Sequence, residues 1–129
     1  MVESDKMNNK RVEYSRRPTI GFLVPATHDA SQPQWFGVVD EARKRDVNLI
    51  CFVGGCWADP RGFQAQANVL YDLVNAEGID GVISWASSIG TYVTAGEIRT
   101  FHERYHSLPL VTMGRSFEGI PSVFVDSYE

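Results

Sequence analysis

The sequence predicts an α/β fold built around a parallel sheet, and three observations carry that expectation. Apolar, β-branched segments recur at 19–25 (TIGFLVP), 47–54 (VNLICFVG) and 81–85 (GVISW). Stretches with helical periodicity separate them, and a chain that alternates strand and helix builds parallel strands flanked by helices. The connections are also unequal. They are short from helix to strand (46 to 47, 78 to 81) and long from strand to helix (26–32, 55–62, 86–93). Long loops gathered on one edge of a sheet mark its functional edge.

The first helix is expected over about 33–46. Trp35, Val38, Val39 and Ala42 fall at i, i+3, i+4 and i+7, while Asp40, Glu41, Arg43, Lys44 and Arg45 take the other face. Pro33 suits a first turn, where its missing N–H would be unpaired in any case. The second helix, about 63–77, sets Phe63, Ala67, Leu70, Tyr71 and Val74 on one side, and Gly78 supplies a left-handed stop. The third begins at Thr94, whose Thr-x-x-Glu run to Glu97 matches a capping box. Ile98, Phe101 and Tyr105 form its inward stripe, and Pro109 ends it. A fourth strand is expected at 108–113 and a fifth at 122–126. The chain then ends where another helix would follow.

At 129 residues, 43% of them apolar and 22% charged, the chain has material for one domain with a sizeable core. A net charge of −4 argues against a nucleic-acid surface. There is no run of eighteen apolar residues, and the N-terminal stretch MVESDKMNNKRVEYSRRP has no apolar centre, so neither a membrane span nor a secretory signal is expected. Residues 1–17 read as a flexible leader. Two cysteines, Cys51 in a strand and Cys56 in the loop after it, do not resemble a disulfide framework, and a cytoplasmic location follows.

Among possible chemistries, a phosphate cradle fails first. The loop after the first strand, Ala26-Thr27-His28-Asp29-Ala30-Ser31-Gln32, holds no glycine for backbone to approach a pyrophosphate. Nor does an aspartate close the third strand, where Ser84 and Trp85 stand instead. The literal His-Glu-x-x-His run of His102, Glu103 and His106 can place two imidazoles one helical turn apart for zinc, with Glu103 as base. The plainer reading is a solvated helix end whose His and Arg complement the helix dipole. Cys56 has no histidine placed beside it by sequence logic, so an inert thiol is expected.

Better supported is a binding cleft at the carboxyl ends of the strands. His28 and Asp29 offer hydrogen-bonding groups for a polar ligand. Trp57 and Trp85 can stack on a sugar or another planar surface, or pack at the edge of the core. Ser87 and Ser88 add hydroxyls at the same mouth. Trp35, on the inward face of the first helix, is expected to pack.

Order and wording along the chain then point to a family. Arg17-Pro18-Thr19-Ile20-Gly21-Phe22-Leu23 resembles the opening strand of the LacI/GalR-type ligand-binding domain, a type I periplasmic-binding-protein fold. Gly78-Ile79-Asp80-Gly81-Val82-Ile83 resembles its third strand. Leu108-Pro109-Leu110-Val111-Thr112-Met113-Gly114-Arg115 resembles its fourth, and Ile120-Pro121-Ser122-Val123-Phe124-Val125-Asp126 its fifth. The wording is nearest to versions that serve as sensory regions of bacterial signalling proteins. The resemblance implies that residues 18–129 form the N-terminal lobe of a two-lobed domain: a three-layer α/β/α sandwich with strand order 2-1-3-4-5. It implies a non-catalytic sensor of a small polar, sugar-like ligand, without cofactor or metal. Closure of the domain would feed signal transduction or transcription control. The implied contacts are His28, Asp29, Trp57, Trp85, Ser87, Arg115 and Asp126. The implied partners are the ligand and a second lobe or second copy, with neither nucleic acid nor membrane bound by this chain. The alternative from another class is a zinc-dependent hydrolase centred on His102, Glu103 and His106.

Overall fold

Strand β1 (Thr19–Val24) lies in the middle of a five-stranded, all-parallel sheet. Beside it runs β2 (Asn48–Val53) on one side and β3 (Gly81–Ser84), β4 (Leu110–Met113) and β5 (Ser122–Val123) on the other. The order is 2-1-3-4-5, as expected. The computed structural model describes residues 17–26, 33–75 and 78–124; of the expected leader, only Arg17 is among them.

Side chains alternate along each strand, so a parallel sheet buried from both sides carries two apolar sets. Leu23, Val82 and Leu110 face a layer made by Tyr71, Val74, Ile89, Ile98, Phe101 and Tyr105. Phe22, Val24, Ile83 and Met113 face the opposite way, towards Trp35 and Val38 of helix α1 (Pro33–Lys44). Phe22, Leu23 and Val24 are wholly buried, each contributing about 1.5–3 kcal/mol. At the amino edge, Thr19 N–H donates to Asp80 Oδ2 at 2.8 Å and Asp80 N–H donates back to Thr19 O at 2.8 Å, which sets β1 against the entry to β3.

The expected second α-helix is a 3₁₀ helix, Gln64–Asn75. Its inward positions recur every three residues: Ala65, Asn68, Tyr71 and Val74, of which Tyr71 and Val74 are fully buried. That spacing suits the eclipsed side chains of three residues per turn. Side-chain anchors hold it. Asn68 Nδ2 donates to Gly54 O at 2.7 Å and to Cys56 O at 3.0 Å, and Asn68 Oδ1 accepts from Ala58 N at 3.0 Å. The Tyr71 hydroxyl donates towards Val24 O and Gly55 O. Phe63 and Leu70, expected on the inner side, are 80% and 36% exposed, because a three-residue period rotates them off it. The Tyr71 ring lies against Gly54, where any Cβ would overlap it.

A short helix, α2 (Ala86–Ile89), stands where only a loop was expected. Helix α3 (Ala95–His102) has the expected capping box: Glu97 N–H donates to Thr94 Oγ1 at 3.1 Å, and Thr94 N–H donates to Glu97 Oε1 at 3.0 Å. It tightens into a 3₁₀ turn at Glu103–Tyr105. The two faces are covered unequally. Among the described residues the 3₁₀ helix, α2 and α3 share one, whereas α1 alone packs on the other. An apolar groove of about 690 Å³ remains between α1 and the outer strands, lined by Ile83, Val111, Met113, Val123 and Phe124.

Replacing Tyr71 by Phe leaves two strand-end carbonyls without their shared donor. Urea unfolding should show a loss of about 1–3 kcal/mol, with an unchanged m-value.

Candidate functional site

The carboxyl edge is built from the ends of β1–β4 and three described loops: 54–63, 85–94 and 114–121. Backbone and side-chain bonds knit these loops together. Trp57 N–H donates to Ile89 O at 2.8 Å, and the Cys56 thiol donates to Ser88 O at 3.3 Å. Gly114, with φ +77°, presses so closely on Ser87 that a Cβ would collide with its hydroxyl. Arg115 Nη1 lies 3.2 Å from where a Cβ on Gly90 would stand.

Of the seven expected contact residues, Ser87 and Arg115 thus follow the ends of the adjacent strands β3 and β4, Ser87 against Gly114 and Arg115 Nη1 near Gly90. Ser87 is exposed. Arg115 is half-buried, and its Nη1 is shielded from solvent with no hydrogen-bond partner among the described residues. A shielded donor without an acceptor costs about 1–3 kcal/mol, more when charged.

The three tryptophans do not converge. Trp85 is 7% exposed and lies parallel to Phe22, with rings 6.2 Å apart and 6° from coplanar, on the α1 side of the sheet. Trp35 packs on the same Phe22 at 5.5 Å, as expected. Trp57 is half-buried on the opposite side, 4.8 Å from the Phe101 ring. The Arg104 guanidinium sits 4.6 Å over its indole while also donating to Asp72 at 2.7 Å. A packing role accounts for the contacts of Trp85, and Trp57 offers one indole edge at most. His28, Asp29 and Asp126 lie outside the described residues.

One constellation escaped the sequence reading. Asp59, 5% exposed, accepts from Arg61 N at 2.9 Å, Nε at 3.0 Å and Nη2 at 2.8 Å. The Arg61 side chain stays largely exposed and lies 5.2 Å from the centre of the Tyr92 ring, bridging loops 54–63 and 85–94. The hydrogen bonds from Arg61 hold the Asp59 carboxyl below the usual carboxylate range. The signal was the run Asp59-Pro60-Arg61-Gly62, in which a turn-forming Asp and a proline set an Arg two residues on. Nothing in the chain announces Tyr92 as its partner.

His102 overturns the expected solvated helix end. It is 2% exposed, turned inward between Phe101 and Phe117. Its Nδ1 lies 2.8 Å from Ile98 O and its Nε2 2.7 Å from Ser84 Oγ. A carbonyl can only accept, so Nδ1 carries the proton and Nε2 accepts from the Ser84 hydroxyl. His106 is exposed, with Nδ1 donating to Glu103 O at 3.1 Å. With both nitrogens of His102 engaged, the His-Glu-x-x-His run presents no pair of free imidazoles. Among the described residues no group of three His, Cys, Asp or Glu side chains is placed to hold a metal ion. Both cysteines are free thiols, and burial pushes that of Cys51 up. No described helix is long and apolar enough to cross a membrane.

Comparison with protein-family models, with curated proteins and with solved structures found no match to this chain.

Iodide should quench Trp57 emission and leave Trp85 nearly untouched. Trp85→Phe should therefore remove the least quenched component of the wild-type spectrum, and Trp57→Phe the more quenched one. A Trp85 as accessible as Trp57 would contradict the stacked placement.

Proposed function

We propose that this chain is the recognition lobe of a LacI-like sensor, a non-catalytic domain that takes a small polar, oxygen-rich ligand at its carboxyl edge. Its output is signal transduction or transcription control. One observation carries the reading: the exposed Ser87 and the half-buried Arg115, whose Nη1 has no partner among the described residues, follow the ends of adjacent parallel strands. Ligands of open α/β sheets sit beyond the carboxyl ends of the strands, where the loops can be built for them. An exposed hydroxyl and a guanidinium on one edge suit sugar hydroxyls or a carboxylate. Arg61 and Tyr92 extend the same edge with a cation and an aromatic ring. The resemblance over 17–129 supports the same reading, and the strand order is the one it implies. His28, Asp29 and Asp126, carried by the same resemblance, belong to the proposal as further contacts.

The apolar groove beside α1 favours a second component of this reading, association with another body such as a second lobe or a second copy. Val123 and Phe124, at its rim, are 55% and 59% exposed. Light scattering coupled to gel filtration tests the second copy: a mass twice that of the chain supports it, and a monomer at high concentration excludes it.

A thermal-shift screen with monosaccharides and small hydroxy acids, followed by calorimetry, tests recognition. A true ligand at about a hundred times its Kd stabilises by roughly 2.7 kcal/mol. Arg115→Met should then weaken binding about tenfold or more, consistent with loss of a charge-assisted hydrogen bond, and Ser87→Ala by a few-fold. Affinity unchanged in both variants would remove the site from this edge.

A further inference from the structure

We propose that the buried Ser84–His102 pair is an acid-releasable latch on the loop 85–94. Ser84 is the last residue of β3, and the loop leaves the sheet directly after it. The chain returns through Thr94 into α3, and His102 is the last residue of that helix. One hydrogen bond of 2.7 Å thus ties the strand before the loop to the helix after it. The loop it closes carries Ser87, Ser88, Thr91 and Tyr92.

The bond depends on the ring being neutral. Its Nδ1 proton is committed to Ile98 O at 2.8 Å, so Nε2 is the lone-pair acceptor for the Ser84 hydroxyl. A proton arriving at Nε2 makes both nitrogens donors. The Ser84 hydroxyl must then turn and accept, its own hydrogen loses its acceptor, and both residues have essentially no exposed surface. A buried charge without a partner is costly, and the nearest relief is movement of the helix end.

Beyond the Ile98 carbonyl, the described surroundings offer the cation no counter-charge. From β3 comes Ser84 and from its register neighbour on β4 comes Thr112, whose hydroxyl is spent on Arg115 O at 2.7 Å. The 114–121 loop presents the Phe117 ring 5.2 Å away, and the Phe101 ring stands edge-on at 4.9 Å. Among the described residues no carboxylate forms an ion pair with His102. The charged group whose field reaches it is Arg104, which repels the proton. Burial, opposed by the bond to Ile98 and aided by Arg104, accordingly lowers the imidazole pKa.

The sign follows. An unfolded or released His102 takes a proton near pH 6.5, whereas the latched one resists until a lower pH. The latch is therefore fully closed above about pH 6.5 and is lost as pH falls through the lower, latched value. Strands β1 and β2 are held by their own ladder and do not share this dependence.

Amide hydrogen exchange of the full chain at about pH 7.5 and about pH 5, corrected for intrinsic rates, reads the latch directly. Residues 86–94 should lose protection by about tenfold or more at the lower pH, with 19–24 little changed. Ser84→Ala should show the low protection at both pH values, and His102→Gln should abolish the pH step. Equal loop protection at both pH values in the wild type overturns the proposal, as does a step that persists in His102→Gln. Should that variant fail to fold, imidazole ¹⁵N shifts of the wild type decide. The proposal requires an Nδ1–H tautomer for His102 and a loop transition that tracks its titration. A transition that tracks exposed His106 refutes it.

Discussion

Strand β1 must be covered on both of its faces, and most of this molecule follows from that requirement. Its last three residues, Phe22, Leu23 and Val24, have no contact with solvent, yet their side chains point alternately to opposite sides. Neighbours β2 and β3 pair with it in parallel, so neither can return by a hairpin, and each crossover must carry its chain across a face of the sheet. One crossover supplies α1 and the next supplies the 3₁₀ helix. The core is thereby divided into two apolar layers before any functional residue is placed.

The same constraint creates the demands met at the carboxyl edge. Strand ends leave carbonyls that the ladder does not use, and buried ones need donors. Tyr71 and Asn68 supply them for Gly54 and Gly55 and add to the backbone donors that already reach Val24 and Cys56, which turns a helix on one face into the clamp of the loop above it. The 85–94 loop is held in turn through Ile89 O and Ser88 O. Among the described residues, the Nη1 of Arg115 and the Oε1 of Gln34 are the buried side-chain atoms left unmatched.

Legibility differed between fold and site for a physical reason. Burial writes a period into the sequence, so β1–β3, α1 and the capping box at Thr94 could be read from spacing alone. The 3₁₀ helix could not, because Ala67, Leu70, Tyr71 and Val74 also satisfy a 3.6-residue period; side-chain bonds from Asn68 and Tyr71 to a distant loop select the tighter winding. At the candidate site, the edge was legible, and so were the places of Ser87 and Arg115 after β3 and β4. The tryptophans misled because an indole after a strand can turn to either side of the sheet. Trp85 goes to Phe22 and Trp57 goes to Phe101 and Arg104. His102 misled for the opposite reason: a histidine near a helix end is usually solvated, and here Ser84 and the Ile98 carbonyl satisfy both ring nitrogens inside the core.

By itself the sequence determined the class of fold and the edge that carries the loops, since alternation of periods and turn residues is local information. Tertiary structure alone decided which faces the aromatic rings take, how the middle helix winds, that Arg61 reaches Tyr92, and that an imidazole from a presumed surface motif bonds to a strand. Those outcomes depend on partners distant in the chain, 18 residues apart for Ser84 and His102 and 47 for Val24 and Tyr71. A hydrogen bond or ring contact between such partners leaves no periodic trace in the chain that makes it.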